Sequence, residues 1–244
     1  MAASIERDSC RDPGAVISEN YRRIVLACAE ECRLAGKSAE DVQLIAVSKT
    51  FSPEDIALVY QLGQRRFGEN YVQEMCEKQP VLPKDIAWHF IGRLQRNKVK
   101  YIIDKTAMIH SVDSSTLARE ISRQALLKNV IMPVLIQVNL GGEESKAGFY
   151  RDTLKHGLEM IGSLPGLRVM GLMTIGPYFE DPEEARPMFR EMRALKEEAA
   201  SWCIPGIEMR YLSMGMSHDY TIAIAEGADY VRVGSSIFGR RSFD

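Results

Sequence analysis

The feature that most constrains this chain is an alternation. Eight short apolar runs rich in β-branched residues are separated by stretches of helical period: "VQLIAVS", "RRFG", "IAWHFIG", "AMIHSVD", "VIMPVLIQVN", "LRVMGLMTI", "MRYLSM" and "DYVRVG". Helix starts are expected near Pro53, Asn70, Gln95, Ser114, Arg151, Glu183 and Ser217, most of them at a residue type that capping favours. Parallel strands need a crossover, usually a helix, so this order of elements predicts a parallel α/β protein. The count is eight and no strand is followed by a GxGxxG turn, which favours a closed (β/α)8 barrel, the TIM barrel, over an open doubly wound sheet. A further helix is expected in front, from about Ala15 to Leu34 and ending near Gly36. Residues 1–36 are thus read as an N-terminal segment and helix, and residues 1–244 as one barrel domain, a normal length for that fold.

The bulk numbers exclude several classes of function. At 45% hydrophobic and 26% charged, the chain has the composition of an ordinary soluble globular protein. A net charge of −2 gives no electrostatic footprint for nucleic acid. The basic stretch "GRLQRNKVK", Gly92 to Lys100, is read as a solvated helix face. The five cysteines (Cys10, Cys28, Cys32, Cys76, Cys203) are scattered without a CxxC, so neither a disulfide framework nor a zinc site is expected. Cys28 and Cys32 lie one helical turn apart and are read as core residues on one face. The N-terminus carries no apolar signal region and no segment approaches a membrane span, so a cytoplasmic protein is expected.

In a barrel of this kind chemistry collects at the C-terminal ends of the strands. The strand ends in chain order present Lys49; Glu69 and Asn70; His89; Ser111 and Asp113; Asn139; Met173 and Thr174; Ser213; and Arg232. Strand ends are polar partly because they face water. Solvation accounts less well for a lysine, an asparagine, a histidine and an arginine around one mouth. The loops "SMGMS" (Ser213 to Ser217) and "VGSSIFG" (Val233 to Gly239) follow strands seven and eight, where barrels commonly bind phosphate on backbone N–H groups, hydroxyls and a short helix. Lys49 is expected across the mouth from them. A lysine attacks a carbonyl only when neutral, and desolvation favours the neutral amine. Together these residues suggest a phosphorylated aldehyde or ketone held as a Schiff base. A sugar-phosphate aldolase and a pyridoxal 5'-phosphate (PLP) protein both satisfy that description.

The segments "AVSKT", "FGENYVQE", "WHFIGRLQRNK", "HSVDS", "QVN", "KAGF", "GLMTI", "LSMGMSHDY" and "VRVGSSIFGRR" closely resemble the YggS/PROSC family of PLP-binding, or PLP homeostasis, proteins, from the first strand to the C-terminus. The resemblance implies the barrel of the alanine racemase N-terminal domain. It implies Lys49 as the Schiff-base lysine, Arg232 as the partner of the pyridine nitrogen, Ser213, Gly234 and Ser235 as phosphate contacts, and Asn70, His89 and Met173 as pocket residues. Ser235 is often threonine in the family, which keeps the hydroxyl. Lys146 also matches a family lysine, with a secondary role in PLP handling or a plain solvated loop as its two readings.

An arginine opposite the ring nitrogen stays protonated and leaves that nitrogen unprotonated, which makes the ring a weak electron sink. Racemisation further needs a second acid/base, supplied in alanine racemases by a tyrosine of a separate β-domain across a dimer interface. This chain ends at "FGRRSFD" directly after the eighth strand, so no such domain is expected. The expectation is a monomeric PLP carrier that buffers the cofactor or delivers it to PLP-dependent apo-enzymes, without robust catalysis. A racemase-like enzyme borrowing its second base, and a PLP-free Schiff-base aldolase, are the alternatives.

Overall fold

The computed structural model describes residues 12–140 and 147–239. Eight parallel strands close into a barrel in sequential order: β1 (Gln43–Val47), β2 (Arg66–Glu69), β3 (Ala87–Phe90), β4 (Met108–Val112), β5 (Met132–Val138), β6 (Leu167–Thr174), β7 (Ile207–Met216) and β8 (Tyr230–Val233). The outer helices are α2 (Pro53–Gln61), α3 (Val72–Lys78), α4 (Ser115–Leu127), α5 (Arg151–Gly162), α6 (Arg186–Ser201), α7 (Tyr220–Ala225) and the one-turn α8 (Ser235–Phe238), with α1 (Pro13–Leu34) in front. The helix expected near Gln95 is a 3-10 helix, Arg96–Tyr101, and the start near Glu183 is a 3-10 turn, Pro182–Ala185, leading into α6. The 3-10 form suits the basic stretch: buried Leu94 and Val99 anchor it while Arg93, Arg96, Lys98 and Lys100 stay in water.

Closure pairs β1 with β8, Ala46 standing opposite Val233. That corrects one expectation: the Lys49 strand end lies beside the loop after β8, not across the mouth from it. The inside of the barrel is filled by Ile45, Met108, Leu135, Met170, Met173 and Tyr230, and a larger apolar layer lies between strands and helices.

Helix α1 has Pro13 at its first turn and Asp12 as its N-cap, accepting from the Gly14 amide. Its buried residues Ile17, Tyr21, Ile24, Cys28 and Cys32 recur every three or four positions and form one stripe. That stripe packs on α2, α7 and α8, and the Asn20 side chain donates to the Ile237 carbonyl at 3.3 Å. Cys28 and Cys32 are free thiols within it, as their spacing suggests. None of the helices among the described residues is long and apolar enough to cross a membrane.

Candidate functional site

Lys49 follows β1 in a tight turn, half-buried, between buried Ser48 and exposed Thr50. Thr50 is left-handed, with φ of 68°. Directly after it, Ser52 caps α2 in a capping box with Asp55, and the Phe51 ring stacks on Phe238 of α8 with centroids 4.8 Å apart. The lysine therefore leaves a strand, turns once, and is locked to the helix that begins at Ser235.

The loop after β8 sits alongside. A Cβ placed on Gly234 would lie 3.2 Å from both the Val47 carbonyl oxygen and the Val47 Cβ, so the backbone there runs close against β1. The Gly234 amide donates to Ser217 Oγ at 3.0 Å, and Ser236 Oγ donates to the Ser217 carbonyl at 3.2 Å. The loop after β7 is tightened by Asp219, whose carboxylate accepts from the Met216 amide at 2.6 Å, and by Gly215, left-handed at φ of 87°. Ser217, Gly234 and Ser235 thus share one small-residue surface at the end of β8, where the first amides of α8 also lie.

Ser213 is elsewhere. It is fully buried, and its hydroxyl accepts from Arg232 Nη1 at 2.6 Å while lying 3.0 Å from His110 Nδ1. The expectation that Ser213 contacts phosphate gives way to a placement inside the barrel, under the arginine; Ser217 is the hydroxyl that reaches the loop. Arg232 itself is buried, and its Nη2 donates to the Thr174 carbonyl at 2.8 Å. Burial pulls its pKa down to about 10, with Asp219 opposing the shift, so the guanidinium stays cationic at neutral pH.

From Arg232 a polar chain crosses the barrel. His110 on β4 meets His89 on β3, Nε2 to Nδ1, at 2.9 Å. An arginine only donates, so Ser213 accepts from it; His110 meets Ser213 through Nδ1 and His89 through Nε2, its tautomer setting which of those two hydrogen bonds it donates. Both rings are neutral in this arrangement. Burial holds His89 at about 3, and burial with His89 and Arg232 as neighbours holds His110 well below the usual histidine range. His110 was not among the residues singled out in the sequence; its signal was a histidine in the middle of an apolar strand. Met173 is part of the inner apolar cluster, paired in register with Ser213.

Asn70 directly follows β2, and its Oδ1 is buried with no hydrogen-bond partner. Its backbone is covered by Gly92, where any Cβ would run into the Asn70 carbonyl. Beyond Asn70 a groove of about 1480 Å³ passes Phe90 and Arg93 towards Lys98. Beneath the Lys49 turn lies a charged cluster that sequence reading also missed. Lys78 is buried and donates to the Ser48 carbonyl at 2.8 Å, Glu69 Oε1 at 2.9 Å and Glu74 Oε2 at 2.8 Å. Ser48 Oγ donates to the same Glu69 oxygen at 2.7 Å, while Glu69 Oε2 is buried and unpartnered. Burial pushes the Glu69 carboxyl up, and Lys78 and Ser48 pull it back. The i,i+4 spacing of Glu74 and Lys78 was its visible trace. Lys146 lies outside the described residues.

An amine at a strand end, a cationic arginine inside the barrel, a glycine–serine loop between them and an orphaned acceptor at Asn70 form a donor set that suits PLP: an aldehyde, a pyridine nitrogen, a phosphate and a ring hydroxyl. These features define the class, a barrel of the alanine racemase N-terminal type, and the model of that domain family matches residues 26–242. A PLP homeostasis protein of Aquifex aeolicus is 44% identical over 226 residues, covering 92% of this chain and 98% of that protein. The solved structure of PipY from Synechococcus elongatus with PLP bound is 37% identical with a TM-score of 0.77, covering 87% of this chain and 100% of that one. A solved protein from Bifidobacterium adolescentis is 34% identical with a TM-score of 0.88, over 95% of this chain and 98% of that one. The chain belongs to the family of pyridoxal phosphate homeostasis proteins.

Proposed function

We propose that this protein binds PLP covalently yet reversibly at Lys49 and serves PLP homeostasis, buffering the cofactor and handing it to PLP-dependent apo-enzymes. The observation that carries this reading is the closure of β1 on β8, which brings the Lys49 turn beside the Gly234–Ser235 loop with Arg232 beneath. When bound, PLP supplies an aldehyde that amines exchange. Lys49 brings the amine. Ser217, the Gly234 and Ser235 backbone and the first amides of α8 hold the phosphate, with Ser217 in the place first expected of Ser213. Arg232 would be the donor to the ring nitrogen, and Asn70, whose Oδ1 has no partner, would be an acceptor for the ring's polar edge. His89 and Met173 act at one remove, His89 through the polar chain and Met173 through the packing under the arginine.

Arg232 also argues for carrying over catalysis. A cation that keeps the ring nitrogen unprotonated weakens the electron withdrawal that transamination or decarboxylation needs. The relatives bear the name of a homeostasis protein rather than of an enzyme. We assign the protein no robust turnover and read it as a cytoplasmic monomer.

The test is the absorbance spectrum of the protein as isolated and after PLP addition, followed by borohydride and peptide mapping. PLP fixed on Lys49 is expected, and Lys49→Ala is expected to lose the covalent adduct while keeping weak phosphate-anchored binding. Inversion of a single-enantiomer amino acid at ordinary enzyme rates would overturn the carrier reading. Absence of any PLP spectrum would leave a phosphorylated carbonyl substrate instead.

A further inference from the structure

We propose that Glu74 is a positioning residue for Lys49, holding Thr50 in its left-handed conformation by accepting a hydrogen bond from the Thr50 amide. The proposal rests on the reading that Lys49 carries the PLP. Three non-glycine residues among those described have positive φ: Thr50, Asn129 and Cys203. Asn129 and Cys203 each stand one residue beyond a helix C-cap, where a left-handed residue is routine. Thr50 follows a strand, and it is β-branched, the side-chain type least suited to that region. Such a conformation persists only where its surroundings over-determine it.

The surroundings here are specific. Glu74 Oε2 accepts from the Thr50 amide at 2.7 Å and from Lys78 Nζ at 2.8 Å. Lys78 also takes the Ser48 carbonyl at 2.8 Å. The peptide groups on either side of Lys49 are therefore tied to one ammonium, directly at Ser48 and through Glu74 at Thr50. Glu69 anchors that ammonium from below at 2.9 Å. The Phe51 amide closes the same turn on the Ser48 carbonyl at 3.1 Å, so Glu74 is the side chain that adds to this turn the hold on the Thr50 amide itself; without its carboxylate that amide loses its acceptor and the turn loosens. That loosening turns the Lys49–Thr50 peptide and re-aims the lysine stem. Glu74 borders the groove beyond Asn70, and its hydrogen bonds go to the Thr50 amide and to Lys78, so its action on Lys49 runs through the backbone of the turn.

The experiment follows PLP loading of the apo-protein by absorbance, with borohydride trapping and mass measurement of the Lys49 peptide, in wild type, Glu74→Ala, Glu74→Gln, Thr50→Gly and Thr50→Gly/Glu74→Ala. Glu74→Ala leaves Lys78 paired with Glu69 and Ser48, and its thermal melt checks that the fold is kept. Loading is expected to slow about tenfold in Glu74→Ala and to stay within about threefold of wild type in Glu74→Gln, which keeps an acceptor for the amide. In the double variant glycine adopts the left-handed turn at no steric cost, so loading is expected to return to within about threefold of Thr50→Gly alone. A purely structural role for Glu74 gives no such rescue. Equal loading by wild type and Glu74→Ala, or a double variant as slow as Glu74→Ala, overturns the clamp. A wild type that traps no PLP on Lys49 overturns the reading beneath it, a result distinct from both.

Discussion

A guanidinium has donors and no acceptor, so Arg232 donates to Ser213, the first link of a polar chain that runs on through His110 and His89. Ser213 bonds Arg232 and Ser217 bonds the Gly234 amide, so the roles proposed for them are separable by experiment. Ser217→Ala is expected to weaken PLP affinity about tenfold, the loss of one hydrogen bond to a charged group, without moving the spectrum of bound PLP. Ser213→Ala frees Arg232 and is expected to shift that spectrum; titration calorimetry with absorbance checks both. The histidines give the fold a pH dependence. Unfolded His89 takes a proton near its ordinary 6.5, whereas the folded residue resists until about 3. Between those values the unfolded chain binds more protons, so stability falls as pH drops through that window. At pH 5 the cost for His89 is about 2 kcal/mol. Urea midpoints at pH 7 and 5 are expected to converge in His89→Asn relative to wild type. Lys78→Met leaves Glu69 buried without its cation and is expected to cost about 3–5 kcal/mol in the same urea assay.

At the level of elements, the loop after β7 depends on Gly215. Its φ of 87° is strained for any side chain, and a Cβ there would lie 2.5 Å from the Ala223 Cβ of α7. Gly215→Ala is expected to push α7 and Ser217 apart and to lower PLP affinity more than it lowers the melting temperature. The strand ends were legible because apolar period and β-branching mark strands, and the barrel rule then marks their ends; Lys49, Asn70, Gly234 and Arg232 follow from that alone. Ser213 and Ser217 were not separable that way. β7 runs on to Met216 and its register with β8 shifts between Ser213 and Met216, so counting residues from the strand cannot say which hydroxyl leaves the barrel. The 3-10 helix after β3 was also hidden, since its six residues bury only Val99 and so carry no apolar period that distinguishes one pitch from the other. Lys78 carries no mark of its burial in the sequence, because its partners Ser48 and Glu69 meet α3 only in the folded chain.

For the molecule as a whole, α1 is more than a cover. Its stripe of Ile17, Tyr21, Ile24, Cys28 and Cys32 is buried on α2, α7 and α8. At roughly 1.5–3 kcal/mol for each large apolar side chain, that burial rivals the whole stability of a typical domain, about 5–15 kcal/mol. A chain lacking residues 1–36 is therefore expected to lose cooperative unfolding, which a urea titration followed by circular dichroism checks. Because Asn20 and Phe51 both hold α8, a milder change such as Asn20→Ala is expected to weaken PLP binding before it measurably destabilises the barrel.

The pairing of β1 with β8 joins the first and last strands of the barrel, Gln43 with Tyr230 and Ala46 with Val233. Lys49 emerges early in synthesis, and the Gly234–Ser235 loop proposed to hold the phosphate beside it is among the last segments made. A chain still on the ribosome thus carries an amine with no anchor beside it. If Lys49 and the Gly234 loop hold PLP as proposed, the site is assembled only when the ring of strands closes, and a chain truncated before β8 is expected to show no phosphate-anchored PLP binding.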